Sequence, residues 1–141
     1  MASSYKFEAE WDKYEFARHA VGADADVIIL SMAWNTLSDR AEFFQESGEP
    51  DMDSLSYWLA RLQPVLHNKP GKEVIVIFAN RSGFEDTTTY VGTSAVLGIK
   101  DGDISLYGML GRDDERLLVV DTRLPPQARL RMARKDSDTH V

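Results

Sequence analysis

Two stretches of this chain space their apolar residues as helices do. Across Trp11 to Val21, the residues Trp11, Tyr14, Ala17 and Val21 share one face, Asp12, Lys13 and His19 lie away from it, and Gly22 follows as a stop. Across Ser54 to Leu66 the stripe is Leu55, Trp58, Leu59, Leu62 and Leu66, with Pro64 placed to kink or end the helix. Other stretches read as strands. Val27–Trp34 (VIILSMAW) is a continuous apolar run that is β-branched at its start, the pattern of a strand covered on both faces. Val74–Ala79 is a second such run. Tyr90–Ile99 and Ile104–Leu110 flank Lys100-Asp101-Gly102-Asp103, which predicts a hairpin around Asp-Gly. Arg116–Asp121 (RLLVVD) predicts a last strand, and Pro125 and Pro126 close the domain.

Between these elements, Asn35–Asp53 is polar and acidic. It predicts a loop with a short helical turn around Arg40–Gln45, longer than compact domains usually carry; loops of that length are often functional. Lys69-Pro70-Gly71 marks a turn. Strands alternate with helices early and follow one another late. The order therefore predicts an α/β layer with a mixed sheet and two main helices on one face, leaving the other face in need of cover.

Composition narrows the function classes. The 141 residues suit one domain, and such a chain buries roughly 68–70% of the surface its unfolded form exposes. There is no cysteine, which excludes disulfides, thiolate–zinc sites and a cysteine nucleophile among these residues. The net charge of −7 argues against nucleic acid as a partner. The positive charge that exists gathers late: Arg123, Arg129, Arg131, Arg134 and Lys135 outnumber Asp121, Asp136 and Asp138, which reads as a basic, flexible tail. The opening MASSYKFEAEWDKYEF has no apolar core of a signal peptide. The longest apolar run, Val27–Trp34, is far short of the ~20 residues of a membrane span, so the cytoplasm is the default expectation and no membrane is expected.

Candidate chemistry collects at one place. Asn80, Arg81 and Glu85 stand at the exit of the Val74–Ala79 strand, where open α/β sheets keep their sites. Elsewhere the signals are thin. There is no G-x-S-x-G elbow; Gly92-Thr93-Ser94 is nearest, inside a predicted strand, and His19, His67 and His140 are scattered. Asp51-Met52-Asp53 and Asp113-Asp114-Glu115 have the oxygen donors for a hard cation, yet such clusters are more often solvated turns or helix starts. No metal and no cofactor is expected.

Several segments together carry a resemblance. They are Tyr5-Lys6-Phe7, Trp11, Tyr14-Glu15-Phe16-Ala17, the run Val27–Trp34, Tyr57-Trp58-Leu59-Ala60-Arg61-Leu62, Asn80-Arg81-Ser82-Gly83-Phe84-Glu85, Tyr90-Val91-Gly92-Thr93-Ser94, the Asp101-Gly102 hairpin, and the acidic pair before RLLVVD. In this order they resemble the second half of a nitrilase-superfamily (carbon–nitrogen hydrolase) domain, over roughly residues 5–122. The pattern is nearest to the fungal-type branch of protein N-terminal asparagine/glutamine amidohydrolases. The resemblance implies half of an αββα sandwich: residues 1–122 would be the C-terminal half of the domain, truncated, and 123–141 the tail. It implies a parent reaction that hydrolyses the side-chain amide of an N-terminal Asn or Gln and releases ammonia.

In that family a Cys attacks the amide carbon, a Glu is general base and a Lys stabilises the oxyanion, all ahead of the segment matched here. Where the Cys-x-Asp motif would precede Tyr5, this chain reads Met1-Ala2-Ser3-Ser4. No residue is carried over as catalytic, and the chain alone is expected to be inactive. The resemblance does carry over a pocket wall: Ser31, Met32, Ala33 and Trp34 after the first strand, and Asn80, Arg81 and Glu85 after the next. Trp34 then either contacts substrate or caps the core, and Arg81 and Glu85 either order the wall or simply pair with each other. The alternative function is a non-catalytic assembly module that forms a homodimer or docks on the missing N-terminal half or a full-length homologue. A third, an unrelated enzyme using carboxylates such as Glu85, lacks a second placed carboxylate.

Overall fold

Val74–Asn80 alternates strictly between buried positions and part-buried or exposed ones, and that alternation sets the architecture. Val74, Val76 and Phe78 point to one face of a sheet, where helices cover them; Ile75, Ile77 and Ala79 point to the other. A computed structural model describes residues 10–131. Within them lie the helices α1 (Glu15–Gly22), α2 (Arg40–Phe43) and α3 (Met52–Ala60). The strands are β1 (Val27–Met32), β2 (Asn35–Thr36), β3 (Val74–Asn80), β4 (Phe84–Glu85), β5 (Thr88–Tyr90), β6 (Ala95–Lys100), β7 (Asp103–Met109) and β8 (Ala128–Leu130). The main sheet has the order β1-β3-β6-β7-β8, and β2-β5-β4 form a small second sheet. The β1/β3 pair is parallel, with Ile29 opposite Ile77, and every other pair is antiparallel. This is the mixed α/β layer that the element order predicts.

The core fills one face only. Ala17 and Ala20 of α1 and Leu55, Trp58 and Leu59 of α3 pack with Leu62 and Val65 over Val76, Phe78, Leu97, Ile99 and Ile104. Fully burying a Leu, Ile or Phe side chain contributes about 1.5–3 kcal/mol, so this single layer supplies most of the cohesion.

Several expectations need correction. The first helix does not run from Trp11. Tyr14 takes φ 45°, which separates a 3₁₀ turn at Trp11–Lys13 from α1, and Trp11 moves onto the Arg61 guanidinium, 4.1 Å from its ring centre. Gly22 is not the stop but the last helical residue; Asp24 takes the left-handed φ of 56°, held by Lys69. α3 ends at Ala60, ahead of Pro64, which enters a separate 3₁₀ turn. The first strand is not covered on both faces: it is the sheet edge, and Val27 and Ile29 remain 50% and 66% exposed. β6 starts at Ala95, because Tyr90 belongs to β5 and a tight loop intervenes. Asp101 and Gly102, at φ 51° and 82°, make the expected hairpin turn.

The expected strand Arg116–Asp121 has no ladder partner. It runs instead as a strap over the helix-free face. Leu118 and Val120 lie where a Cβ on Gly108 would fall, at 3.0 and 2.8 Å, so only glycine lets the strap sit this close. The sheet also continues past Pro125 and Pro126, as β8 joins β7 and the Gln127 amide donates to the Leu106 carbonyl at 2.9 Å. Ser3, Ser4, Tyr5-Lys6-Phe7, Arg134, Lys135, Asp136, Asp138 and His140 lie outside the described residues. No described helix is long and apolar enough to cross a membrane.

Truncating the wholly buried Leu55 to Ala lowers unfolding free energy by about 2–5 kcal/mol, whereas Met52→Ala, on the exposed side of the same helix, changes it by less than about 0.5 kcal/mol. Urea unfolding of the two variants checks this; equal losses would mean that α3 does not bury the Leu55 face.

Candidate functional site

The parallel strands β1 and β3 end side by side, and one buried side chain ties their exits together. Asn80 Oδ1 accepts from the Trp34 amide at 2.7 Å, and its Nδ2 donates to the Trp34 carbonyl at 3.3 Å and the Gly92 carbonyl at 2.9 Å. Its own amide donates to Ser94 Oγ at 3.0 Å, and that hydroxyl donates to the Asn80 carbonyl at 3.1 Å. The Arg81 amide then donates to Met32 O, and the Gly92 amide to Arg81 O. Three loops that meet at the sheet end are thus locked by one carboxamide. Asn suits the place because only an amide offers an acceptor and two donors on one short stem.

Gly92 has φ 55°, and a side chain there would run into the Arg112 carbonyl. The next residue, Thr93, is wholly buried at φ 62°, an uncommon state for a β-branched residue. Its hydroxyl offsets the strain twice: it accepts from the Asp51 amide at 2.9 Å, at the start of α3, and donates to Val91 O at 2.8 Å.

Trp34, fixed by the Asn80 bracket, stacks on Tyr57 with ring centres 5.2 Å apart. The two rings form a partition. On one side is an apolar cavity of about 260 Å³ walled by Tyr14, Phe16, Leu30, Met32, Trp58 and Phe78 among others. On the other is a cleft of about 630 Å³ whose lining includes Glu42, Glu46, Asp51 and Asp53. The one cation in that lining, Arg112, is buried and committed to structure. Its guanidinium donates to the carbonyls of Phe43, Glu49 and Pro50 at 2.9–3.1 Å and to Glu46 Oε2 at 3.2 Å. It thereby holds the Phe43–Pro50 loop in place as the outer wall.

The seven expected pocket residues part company. Met32 and Trp34 line the apolar cavity, Asn80 supports it from behind, Ser31 points to the bare sheet face, and Ala33 is exposed. Arg81 and Glu85 are exposed and meet each other at 2.5 Å. Tyr90 joins them: Arg81 donates to its hydroxyl at 3.3 Å, and that hydroxyl donates to Glu85 at 3.2 Å. The hydrogen bond and charge of Arg81, then the Tyr90 hydroxyl, hold the Glu85 carboxyl below its ordinary range. Both acidic clusters serve turns. Asp51 accepts from Ser54 at 2.6 Å, Asp113 from Ser47 and the Gly48 amide, and Asp114 from the Gly111 amide at 2.7 Å; among the described residues no metal-holding group of His, Cys, Asp and Glu occurs.

Tyr57 falls outside the Leu55–Trp58–Leu59 stripe and is exposed, yet with Tyr14 it lines the cavity, a role that helical spacing does not reveal. Arg112 gave no signal, because a lone Arg after glycine has no periodicity to betray its burial.

Among curated proteins the chain is similar to the protein N-terminal amidase of Schizosaccharomyces pombe, 29% identical over 126 residues, which is 82% of this chain and 42% of that protein. The chain therefore spans less than half the length of the relative it matches. No family model and no solved structure matches it. The likeness to an N-terminal amidase agrees with the resemblance read from the segments around Trp34, Asn80 and Gly92.

Two outcomes follow. Asn80→Ala costs about 1–3 kcal/mol, since it leaves the Trp34 amide and the Gly92 carbonyl without partners, and Asn80→Asp fares no better because it keeps the acceptor but loses both donors; denaturant melts read this directly. Because the folded Glu85 has the lower pKa, its contribution is complete above the ordinary value of 4.5 and fades as pH falls through the folded value. The thermal midpoint of Glu85→Gln should therefore drop less than that of the native chain between pH 5 and 3.

Proposed function

We propose that this chain, which resembles protein N-terminal amidases over 126 residues, supplies the substrate-pocket wall of an amidohydrolase site. The reaction served is hydrolysis of the side-chain amide of an N-terminal Asn or Gln, with release of ammonia. The observation that carries this reading is the Asn80 bracket, which fixes Trp34 over a cavity at the carboxyl ends of the parallel pair β1 and β3. Met32 and Trp34 form the wall directly, Asn80 fixes its position, and the Arg81–Glu85–Tyr90 group stiffens the turn behind it. The cleft carboxylates beyond the Trp34–Tyr57 partition have the charge that the ammonium group of a peptide N-terminus needs.

The reacting groups lie elsewhere. Amide hydrolysis of this type needs an activated nucleophile with a base beside it. The 141 residues hold no cysteine. Of the described lysines, Lys69 is tied to Asp24 and Asp26 at 3.1 and 2.7 Å, away from the cavity. Glu85 is held ionised by Arg81 at the surface rather than poised in the pocket. These residues act, on this reading, as the C-terminal half of a carbon–nitrogen hydrolase domain that is inactive alone, with a peptide N-terminus as the parent substrate and the cytoplasm as its setting.

The chain incubated with Asn- and Gln-initiated peptides should release no ammonia. Turnover that persists in the Ser3→Ala and Ser4→Ala variants would show that the chain carries its own catalytic set, and the reading fails.

A further inference from the structure

The cavity beside Trp34 is too apolar for the group that is hydrolysed. The rings of Tyr14, Phe16, Trp34, Tyr57, Trp58 and Phe78 dominate its wall. A carboxamide enclosed by rings loses hydrogen bonds to water that the rings do not replace, so the Asn or Gln side chain belongs outside it. At about 260 Å³ the cavity is also smaller than the ~300–1,000 Å³ of pockets that enclose a whole ligand; its size suits one side chain. An aromatic guest suits the wall, whose rings already pack at ordinary ring spacings: Trp58 lies 5.1 Å from Phe78, and Trp34 lies 5.2 Å from Tyr57. The same wall holds an unanswered donor. Trp58 is 4% exposed, and its indole Nε1 is the only buried side-chain nitrogen or oxygen without a hydrogen-bond partner among the described residues. An indole N–H can only donate, and the acceptor it lacks is one that a guest can bring.

Resting on the amidase reading, we propose that this cavity takes the side chain of the residue that follows the N-terminal Asn or Gln of a peptide, and that it prefers an aromatic one. Tyrosine ranks ahead of phenylalanine, because its phenolic oxygen accepts from Trp58 Nε1 and phenylalanine brings no acceptor. The Trp34–Tyr57 partition then divides one substrate in two. The ammonium group lies toward Glu42, Glu46, Asp51 and Asp53 of the cleft, and the second side chain lies on the apolar side. Both sides of the cavity are fixed in advance, which spares the cost of ordering them on binding. Asn80 holds Trp34 on one side. On the other, the Arg61 guanidinium lies 4.7 Å from the centre of the Tyr14 ring and donates to the Trp11 carbonyl at 2.7 Å.

Isothermal titration calorimetry on the whole chain tests this with four dipeptides: Asn followed by Tyr, by Phe or by Gly, and Ala followed by Tyr. The expected order in Kd is Tyr ahead of Phe by about three- to tenfold, and Phe ahead of Gly by at least about tenfold. Trp58→Phe keeps a ring in the wall and removes the donor. With the circular dichroism of the native chain retained, that variant should bind the Tyr and Phe dipeptides equally, both still ahead of Gly; if the variant does not fold, the series on the native chain decides alone. A preference for Tyr over Phe that survives Trp58→Phe overturns the role of Trp58, and so does its absence from the native chain. Equal binding of the three Asn dipeptides overturns the pocket and leaves the amidase reading standing. Ala-Tyr bound as tightly as Asn-Tyr leaves the pocket standing and counts against the amidase reading. No binding by any of the four overturns the pocket, while ammonia release is scored separately.

Discussion

The Asn80 carboxamide is the constraint on which the site end of the molecule depends. Its three hydrogen bonds hold the exit of β1, the exit of β3 and the loop at Gly92 at a fixed spacing. A buried amide of this kind stabilises only while all its partners are present, and its donors and acceptor are matched one to one here. From it follow the position of Trp34, the Trp34–Tyr57 partition, and the separation of an apolar cavity from an acidic cleft. Arg112 repeats the device on the outer side, capturing the carbonyls of a loop that has no ladder of its own.

The second constraint is that the core is one-sided. α1 and α3 dehydrate one face of the main sheet, and the strap begins a layer on the other without completing it. A sheet of Val and Ile is costly to leave wet, and large bare apolar faces mark contact surfaces. Val27 and Ile29 at the β1 edge remain exposed, as do Leu117 and Val119 on the strap.

These two constraints divide the labour of the chain. The bracket makes a rigid wall at the sheet end, and the core holds that wall against the helices. The charged groups that first attracted notice are mostly structural. Arg81, Glu85 and Tyr90 satisfy one another, and the acidic clusters accept from backbone amides and hydroxyls of their own turns.

The sequence by itself determined the elements and their faces. Period-two alternation in Val74–Asn80, the Leu55–Trp58–Leu59–Leu62 stripe and the Asp101-Gly102 turn are local, so the chain carries them in plain view. It also put Asn80, Arg81 and Glu85 together after the Val74–Ala79 strand, without revealing that Asn80 braces the strand exits while Arg81 and Glu85 pair at the surface. Tertiary structure alone decided the rest. An apolar run such as Val27–Trp34 reads the same at a sheet edge as at its centre, so its exposure depended on which strands found neighbours. RLLVVD alternates like a strand whether or not a ladder exists to receive it. Arg112 is buried, and Asn80 is a bracket rather than a surface turn, only because distant segments bring their carbonyls and amides to them: periodicity is a property of neighbours in sequence, and hydrogen-bond satisfaction is a property of neighbours in space.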